Sequence, residues 1–429
     1  MARPNVSVYI DDQSFVIPNS LFGTTRGGMV SNNNLVDYLG TTAERKSGVM
    51  EISSVGDWVN RLTVSDPMGG SPVSDGANHV DNSGVHATAG TLYAGRWPLG
   101  PTGSWRGEWW CVHNFLQYGG TAVIGGVGTE QHTTSGKETL KDTSIPLDVV
   151  FASAVIDGAV GTNDYFNANT TNINEVEEVV TARLDCIGVV PASGAGHTAA
   201  PSNPVNDGGG IPVSASDKLV CVWGDKKHLG IQRTGEILGQ SSLLTTHLAP
   251  DVAGCMVRTD ANADPWISPA GFARGDIMDV IRLAHNPTEE EQDRLYDAKI
   301  NPVVTFPSEG TVLWGDKTCA ASTSTLSRIN VSRLFIYLKK VIGSASRNYL
   351  FEMNDSQSRT SFVNAVEPLL TRIKNRRGIY DFRVICDETN NPDAIVDANQ
   401  FVADILVKPA KSINFVKITF TNKNTADVI

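Results

Sequence analysis

Apolar positions in this chain recur with two different periods, and the change from one to the other marks its elements. Val6 to Ile17 (VSVYIDDQSFVI) alternates in part, which predicts a strand or an extended arm. Gly48 to Leu62 predicts a strand followed by a short helix, with Ser53 or Ser54 as its N-cap. Leu147 to Ile156 is a mostly apolar run and reads as one buried strand. From Ile173 to Leu184, Glu175, Glu177 and Glu178 stand against Val176, Val179, Val180 and Leu184, an amphipathic helix that leads into a strand at Cys186–Val190. Lys218–Trp223 and Ala253–Arg258 read as short strands, with a helix near Ile237–His247. Asn286–Ala298 starts as helices do: Asn286 can cap, Pro287 takes the first position, and acids fill the first turn. Asn301–Trp314 is extended. Ile329–Ala345 and Arg359–Lys374 have helical spacing, the second with Pro368 inside it, where a kink or break is expected. Strands follow at Phe401–Val407 and Ile413–Phe420.

Thr371 to Asp393 is the most sharply written stretch. Arg372, Lys374, Arg376 and Arg377 crowd a helix C-terminus, where they offset the negative end of the dipole, and Gly378 stands where a left-handed cap is wanted. Tyr380, Phe382, Val384 and Cys386 then share one strand face, with Asp381, Arg383 and Ile385 on the other. Asp387–Asp393 is a turn closed by Asn-Pro. Residues 64–146 differ in kind: Gly, Ser and Thr dominate between Trp97, Trp105, Trp109 and Trp110, which suggests a small β-rich subdomain. The strand–helix alternation of the middle region implies a mixed α/β or α+β architecture.

At 429 residues the chain exceeds the size at which one core stops growing, so two or three domains are expected. Hydrophobic residues make up 41% and charged residues 19%, which places it among globular chains. No apolar run is long enough for a membrane span, and MARPNVSVYIDD lacks the apolar core of a secretory signal. Cys111, Cys186, Cys221, Cys255, Cys319 and Cys386 lack CxxC spacing and read as free buried thiols of a protein assembled in a reducing cytosol. The net charge of −11 is uneven: residues 301–429 hold 16 Lys and Arg against 12 Asp and Glu, so they carry +4 and residues 1–300 carry −15. A basic third beside an acidic remainder points to an acidic partner for the former.

Motifs for chemistry are few. Near Ile124–Thr129 and Ser135-Gly136-Lys137-Glu138 the glycines suggest a phosphate loop, but Lys137 precedes Glu and no glycine stands five residues before Gly136. The eight histidines never form HxxxH or HExxH, and no GxSxG occurs. Ser193 with His197 has no orienting acid nearby, and Asp387 with Glu388 falls on opposite strand faces, which favours a turn cap or an intersubunit ion pair. Arg274-Gly275-Asp276 is too short to carry meaning, and the sequons at Asn5, Asn169, Asn330 and Asn354 matter only in a secretory pathway. The basic set at 372–377 lacks the interleaved aromatics of a nucleic-acid surface. No catalytic residue, metal ligand or cofactor is expected.

Several blocks in order carry a resemblance: PWISPAGFARGDI, INPVVTFPSEGTVLWGDKT, NRRGIYDFRVICDETNN and FVADILVKPAKSINFVKITF. Together they resemble the tail sheath proteins of contractile bacteriophages and related injection machines, continuously from about Val252 to Phe420. The resemblance implies an α+β (mixed α/β) fold: an N-terminal arm at 1–20, a middle and outer domain at 21–300 with the β-rich insertion at about 64–146, a C-terminal inner domain of two helices on a sheet at 301–412, and a second arm at 413–429. It implies a structural, non-enzymatic subunit that stacks in hexameric rings around a tail tube and contracts to drive the tube through a bacterial envelope. Its implied partners are further copies of itself, the tube, baseplate and tail terminator proteins, without direct nucleic-acid contact or membrane insertion. Its implied place is the virion tail, assembled in the host bacterial cytoplasm. The arms would add strands to neighbouring subunits through Val6, Val8, Ile10, Phe15 and Ile17 at one end and Ile413, Phe415, Ile418 and Phe420 at the other. Lys339, Lys340, Arg372, Lys374, Arg376 and Arg377 are the candidates to face the tube. A sheath of a DNA-free particle or of a type VI-like secretion system is the alternative, and a β-rich phage enzyme a more distant one.

Overall fold

The computed structural model describes residues 7–10, 13–16, 25–31, 35–39, 42–61, 106–126, 136–157, 165–167, 170–192, 215–229, 243–321 and 324–412. The first elements are β1 (Ser7–Ile10), β2 (Gln13–Val16), β3 (Arg26–Val30), α1 (Leu35–Leu39), α2 (Thr42–Ser47), β4 (Val49–Ile52), α3 (Val55–Arg61), α4 (Arg106–Leu116), β5 (Thr121–Gly125) and α5 (Gly136–Lys141). Next come β6 (Val149–Phe151), β7 (Val155–Asp157), β8 (Tyr165–Asn167), α6 (Thr170–Arg183), β9 (Ile187–Pro191), β10 (Leu219–Trp223), β11 (Asp225–Leu229), β12 (Leu243–His247), α7 (Ala249–Asn262) and β13 (Arg282–Leu283). The last are α8 (Glu289–Asp297), β14 (Ile300–Phe306), β15 (Gly310–Leu313), α9 (Ile329–Ser346), α10 (Ser356–Asn375), β16 (Ile379–Ile385), α11 (Asp393–Asp397) and β17 (Asp404–Pro409).

An eight-stranded sheet in the order β15-β14-β10-β9-β6-β3-β5-β4 forms the middle of the molecule. Its six inner strands run parallel, and β15 and β4 close the two edges antiparallel. Parallel strands need cover on both faces, which is why β5, β9 and β10 are buried along their whole length. Ala122 and Ile124 point to a layer built from α3, α4, α7 and one side of α9, while Val123 points to the layer of α5, α6 and α8. Gly27 lets α4 lie against β3, because a Cβ there would strike the Phe115 ring. A second, five-stranded sheet (β13-β11-β12-β8-β7) adjoins this core.

The mixed α/β expectation holds, with differences inside it. Residues 106–125 belong to the central core: α4 is a buried helix carrying Trp109 and Trp110, whose rings meet edge to face at 4.9 Å, and β5 is an interior strand. Glu108, His113 and Asn114 of α4 are buried along with its apolar residues, so its polar positions do not mark an exposed helix face. Trp97, Trp105 and the rest of the expected β-rich insertion between 62 and 105 lie outside the described residues. Ala253–Arg258 is the interior of helix α7, and Leu243–His247, expected as helix, is strand β12; short buried runs do not distinguish the two states. Leu147–Ile156 divides at Ala152–Ala154 into β6 and β7, which join different sheets. Thr288, not Asn286, caps α8, with Glu291 accepting from the Thr288 amide at 2.7 Å, while Asn286 exchanges two bonds with the Thr305 backbone. Ser54 does cap α3, accepting from Asp57 N at 3.1 Å. Finally β14 and β15 complete the large sheet, so the C-terminal unit begins after Leu313 rather than at 301.

Candidate functional site

The C-terminal unit is two helices on two strands. Along α9, Leu334, Leu338 and Ile342 face α10 and the small sheet, and Ile329 and Ile336 face the middle core, so this helix is buried from both sides. Asp355 caps α10, accepting from Ser358 N at 2.7 Å, and Phe362, Val366, Leu370 and Ile373 form its buried stripe. The helix runs unbroken through Pro368, whose ring stands on the exposed face. At its end Gly378 N bonds Ile373 O at 2.9 Å, but the left-handed residue is Arg377 (φ 66°). Gly378 is required by crowding: a Cβ there would lie 2.6 Å from Ile373 Cγ2 and 2.9 Å from Trp266 Cδ1.

β16 and β17 pair antiparallel, with a bulge between Ile379 and Asp381. The bulge upsets the expected alternation and leaves Tyr380 exposed, while Phe382, Val384, Ile405 and Val407 pack on the helices. Asp381, Arg383, Leu406 and Lys408 face outward. The connection between the strands is stapled by the buried Asn391, whose amide donates to Val402 O at 2.7 Å and accepts from Val402 N at 2.8 Å. Among the described residues neither outer edge of this two-stranded sheet pairs with another strand. Two strands alone are a marginal sheet, and an open edge is a template for a further strand.

The arms and the basic candidates fall out as follows. Val8, Ile10 and Phe15 lie in β1 and β2, which pair with each other as a hairpin, so the N-terminal segment has a local partner that its sequence did not announce. Val6, Ile17, Ile413, Phe415, Ile418 and Phe420 lie outside the described residues. Lys339 and Lys340 are buried and turned inward: Lys339 Nζ donates to Leu184 O at 3.1 Å, and Lys340 Nζ to Leu147 O at 2.7 Å and Asp148 Oδ1 at 2.6 Å. They dock α9 on the middle core, and burial lowers the Lys339 ammonium to about 7. That removes both from any outward-facing set. Arg372, Lys374, Arg376 and Arg377 are exposed; Lys374 pairs with Asp381 at 2.9 Å and Arg376 with Asp264 at 3.0 Å. Arg372 and Arg376 also line a surface groove of about 510 Å³ along α10 with Asn364, Glu367, Pro368, Thr371 and Asn375.

The other motifs are structural in use. Lys137 pairs with Glu178 at 3.0 Å, Asp387 Oδ1 accepts from Thr389 N at 2.9 Å as a turn cap, and Arg274 Nε donates to Ser268 O at 2.7 Å. Ser193 and His197 lie outside the described residues. All six cysteines are buried and none is in a disulfide.

Family models for the phage tail sheath protein central domain and the phage tail sheath C-terminal domain match residues 161–319 and 321–423, more than half of the chain together. The chain belongs to the phage tail sheath family. A stretch of 178 residues is 51% identical to the tail sheath protein of Vibrio phage KVP40, and one of 173 residues is 45% identical to that of Enterobacteria phage T4. These stretches are 42% and 40% of this chain but only 26% of each relative, so the match spans about a quarter of their length. The fold as a whole is similar to the PVC sheath complex of an extracellular contractile injection system in its contracted state, with TM-score 0.64 and 14% identity over 99% of each chain. At that identity the likeness is one of fold. The boundary between the two family domains, near residue 320, agrees with a C-terminal unit that starts after β15.

Proposed function

We propose that the chain is a subunit of a contractile tail sheath, which polymerises as stacked hexameric rings around a tail tube and shortens to drive that tube through a bacterial envelope. Family membership supports the class, and the observation that carries the mechanism is the two-stranded β16–β17 sheet with both edges free among the described residues. Residues 1–20 and 413–429 of neighbouring copies are the strands that complete it. A donated strand binds by backbone hydrogen bonds, each worth about 0.5–1.5 kcal/mol net, so a six-residue edge such as β17 contributes several kcal/mol per link. The β1–β2 hairpin of the single chain has strands of four residues, short enough to open and re-pair on another copy. Such links survive a rigid-body rearrangement while the side-chain interfaces around them exchange. The partners are further copies, the tube, and baseplate and terminator proteins; no substrate is turned over. The whole-chain fold likeness to an injection-system sheath supports a DNA-free particle as second reading, but 51% and 45% identity to phage tail sheaths favours the virion tail.

Electron microscopy of the purified chain, with and without residues 1–17, tests this. Regular tubes from the full chain and folded monomers from the shortened one are expected. Tubes of equal abundance from both would refute strand donation by this segment.

A further inference from the structure

Three carboxylates in this chain are each shared between helix α9 and the root of a terminal segment. Asp260 accepts from Arg333 Nη2 at 2.6 Å on both oxygens, and its Oδ2 also accepts from Thr25 Oγ1 at 2.9 Å. Asp148 accepts from Lys340 Nζ at 2.6 Å through Oδ1 and from Arg26 N at 3.0 Å through Oδ2. Asp316 accepts from Arg328 Nη1 at 2.8 Å and from Ser412 Oγ at 2.6 Å, while its carbonyl receives Ile329 N, the first amide of α9, at 2.8 Å. Arg26 begins β3 in the large sheet, with Thr25 just before it, and Ser412 is the last described residue of the C-terminal unit, next in sequence to residues 413–429. The three cations follow one another along one helix, Arg328 at its cap, then Arg333 and Lys340, a span of about 18 Å at 1.5 Å per residue.

We propose that α9 is a strut that fixes the separation and heading of both terminal segments, with Asp148, Asp260 and Asp316 as the positioning residues that tie each root to it. Resting on the sheath reading above, this adds what sets the geometry of the links. The helix is packed on the middle core by Ile329 and Ile336 and on the C-terminal unit by Leu334, Leu338 and Ile342, so it cannot tilt toward either without breaking the other. A carboxylate that holds a cation of this helix with one set of lone pairs and an arm root with another passes that rigidity to the root. Neither root can then swing without the strut, and the two ends of each copy enter the lattice at a fixed angle to one another.

The test removes the hydroxyl contacts and spares the ion pairs: the double variant Thr25→Ala with Ser412→Ala, beside Thr25→Ser with Ser412→Thr, which keep a hydroxyl. The alanine variant is expected to keep the thermal midpoint of the unaltered chain, to need about tenfold more protein to polymerise, and to give tubes with a broadened distribution of helical twist by electron microscopy. The serine–threonine variant is expected to restore both. Alanine tubes with unchanged twist and critical concentration would overturn the inference alone. A defect that follows a lowered midpoint and is not restored by the hydroxyl variant would also overturn it, as mere loss of stability. If the unaltered chain forms no tubes, the sheath reading fails and this inference with it.

Discussion

Lys339 shows how far a single residue can depart from what its type announces. As a lysine in a helix of a basic region it reads as surface charge, yet its side chain lies between α9 and the end of α6 with Leu184 O as hydrogen-bond partner. Burial lowers its pKa to about 7, below the ordinary lysine value, so the folded chain holds that proton less tightly than the unfolded one. Stability therefore rises with pH from about 7 toward the ordinary lysine range, and below about 7 the cost of keeping a buried cation is felt in full. Lys339→Met is expected to raise the urea midpoint at pH 6 and to flatten the rise between pH 7 and about 10. Equal midpoint shifts at both ends of that range would contradict the assignment. Nothing in the local sequence separates Lys339 and Lys340 from Lys374. What decides is a partner 155 or 192 residues away, Leu184 for one and Asp148 for the other. Residues whose role is local were legible: Ser54 as a cap, Asp387 in its turn, and the cations at the end of α10.

Among the elements, α9 and α10 were read close to their observed ends because apolar residues recur along each at helical spacing, as at Leu334, Leu338 and Ile342 and at Phe362, Val366, Leu370 and Ile373. α4 and α7 were missed because polar residues in them, Glu108, His113 and Asn114 in one and Asp251 and Thr259 in the other, are buried with the apolar ones, so polarity does not mark an outer face. Strand β12 and the division of β6 from β7 were invisible because a few apolar residues fit either state. Helix α10 carries a cost that its packing does not explain. Pro368 removes a helix hydrogen bond on the exposed face, beside Glu367, Thr371 and Arg372 in the surface groove. Pro368→Ala is expected to stabilise the C-terminal unit by about 1–3 kcal/mol in denaturant unfolding. A loss of stability would show that the proline fits a local distortion the rest of the helix depends on.

For the whole molecule, the charge imbalance was legible in the sequence, but its location was not. Two of the basic residues, Lys339 and Lys340, are spent inside, where they join the C-terminal unit to the acidic middle region. Arg372 and Arg377 remain exposed at the end of α10, with Lys374 and Arg376 already paired on the chain itself. Reversing Arg372 and Arg377 to Glu is expected to weaken assembly on purified tube at low salt, with the difference shrinking as salt is added; unchanged co-sedimentation would remove this face from the tube contact. The proposed assembly requires β16 and β17, a two-stranded sheet in the single chain, to gain further strands from other copies. Tracing the density beside those two strands in a cryo-electron microscopy map of the polymer tests that most directly. Strands continuous with two neighbouring copies, one on each edge, are the expected result; edges left open, or filled by residues of the same copy, would contradict it.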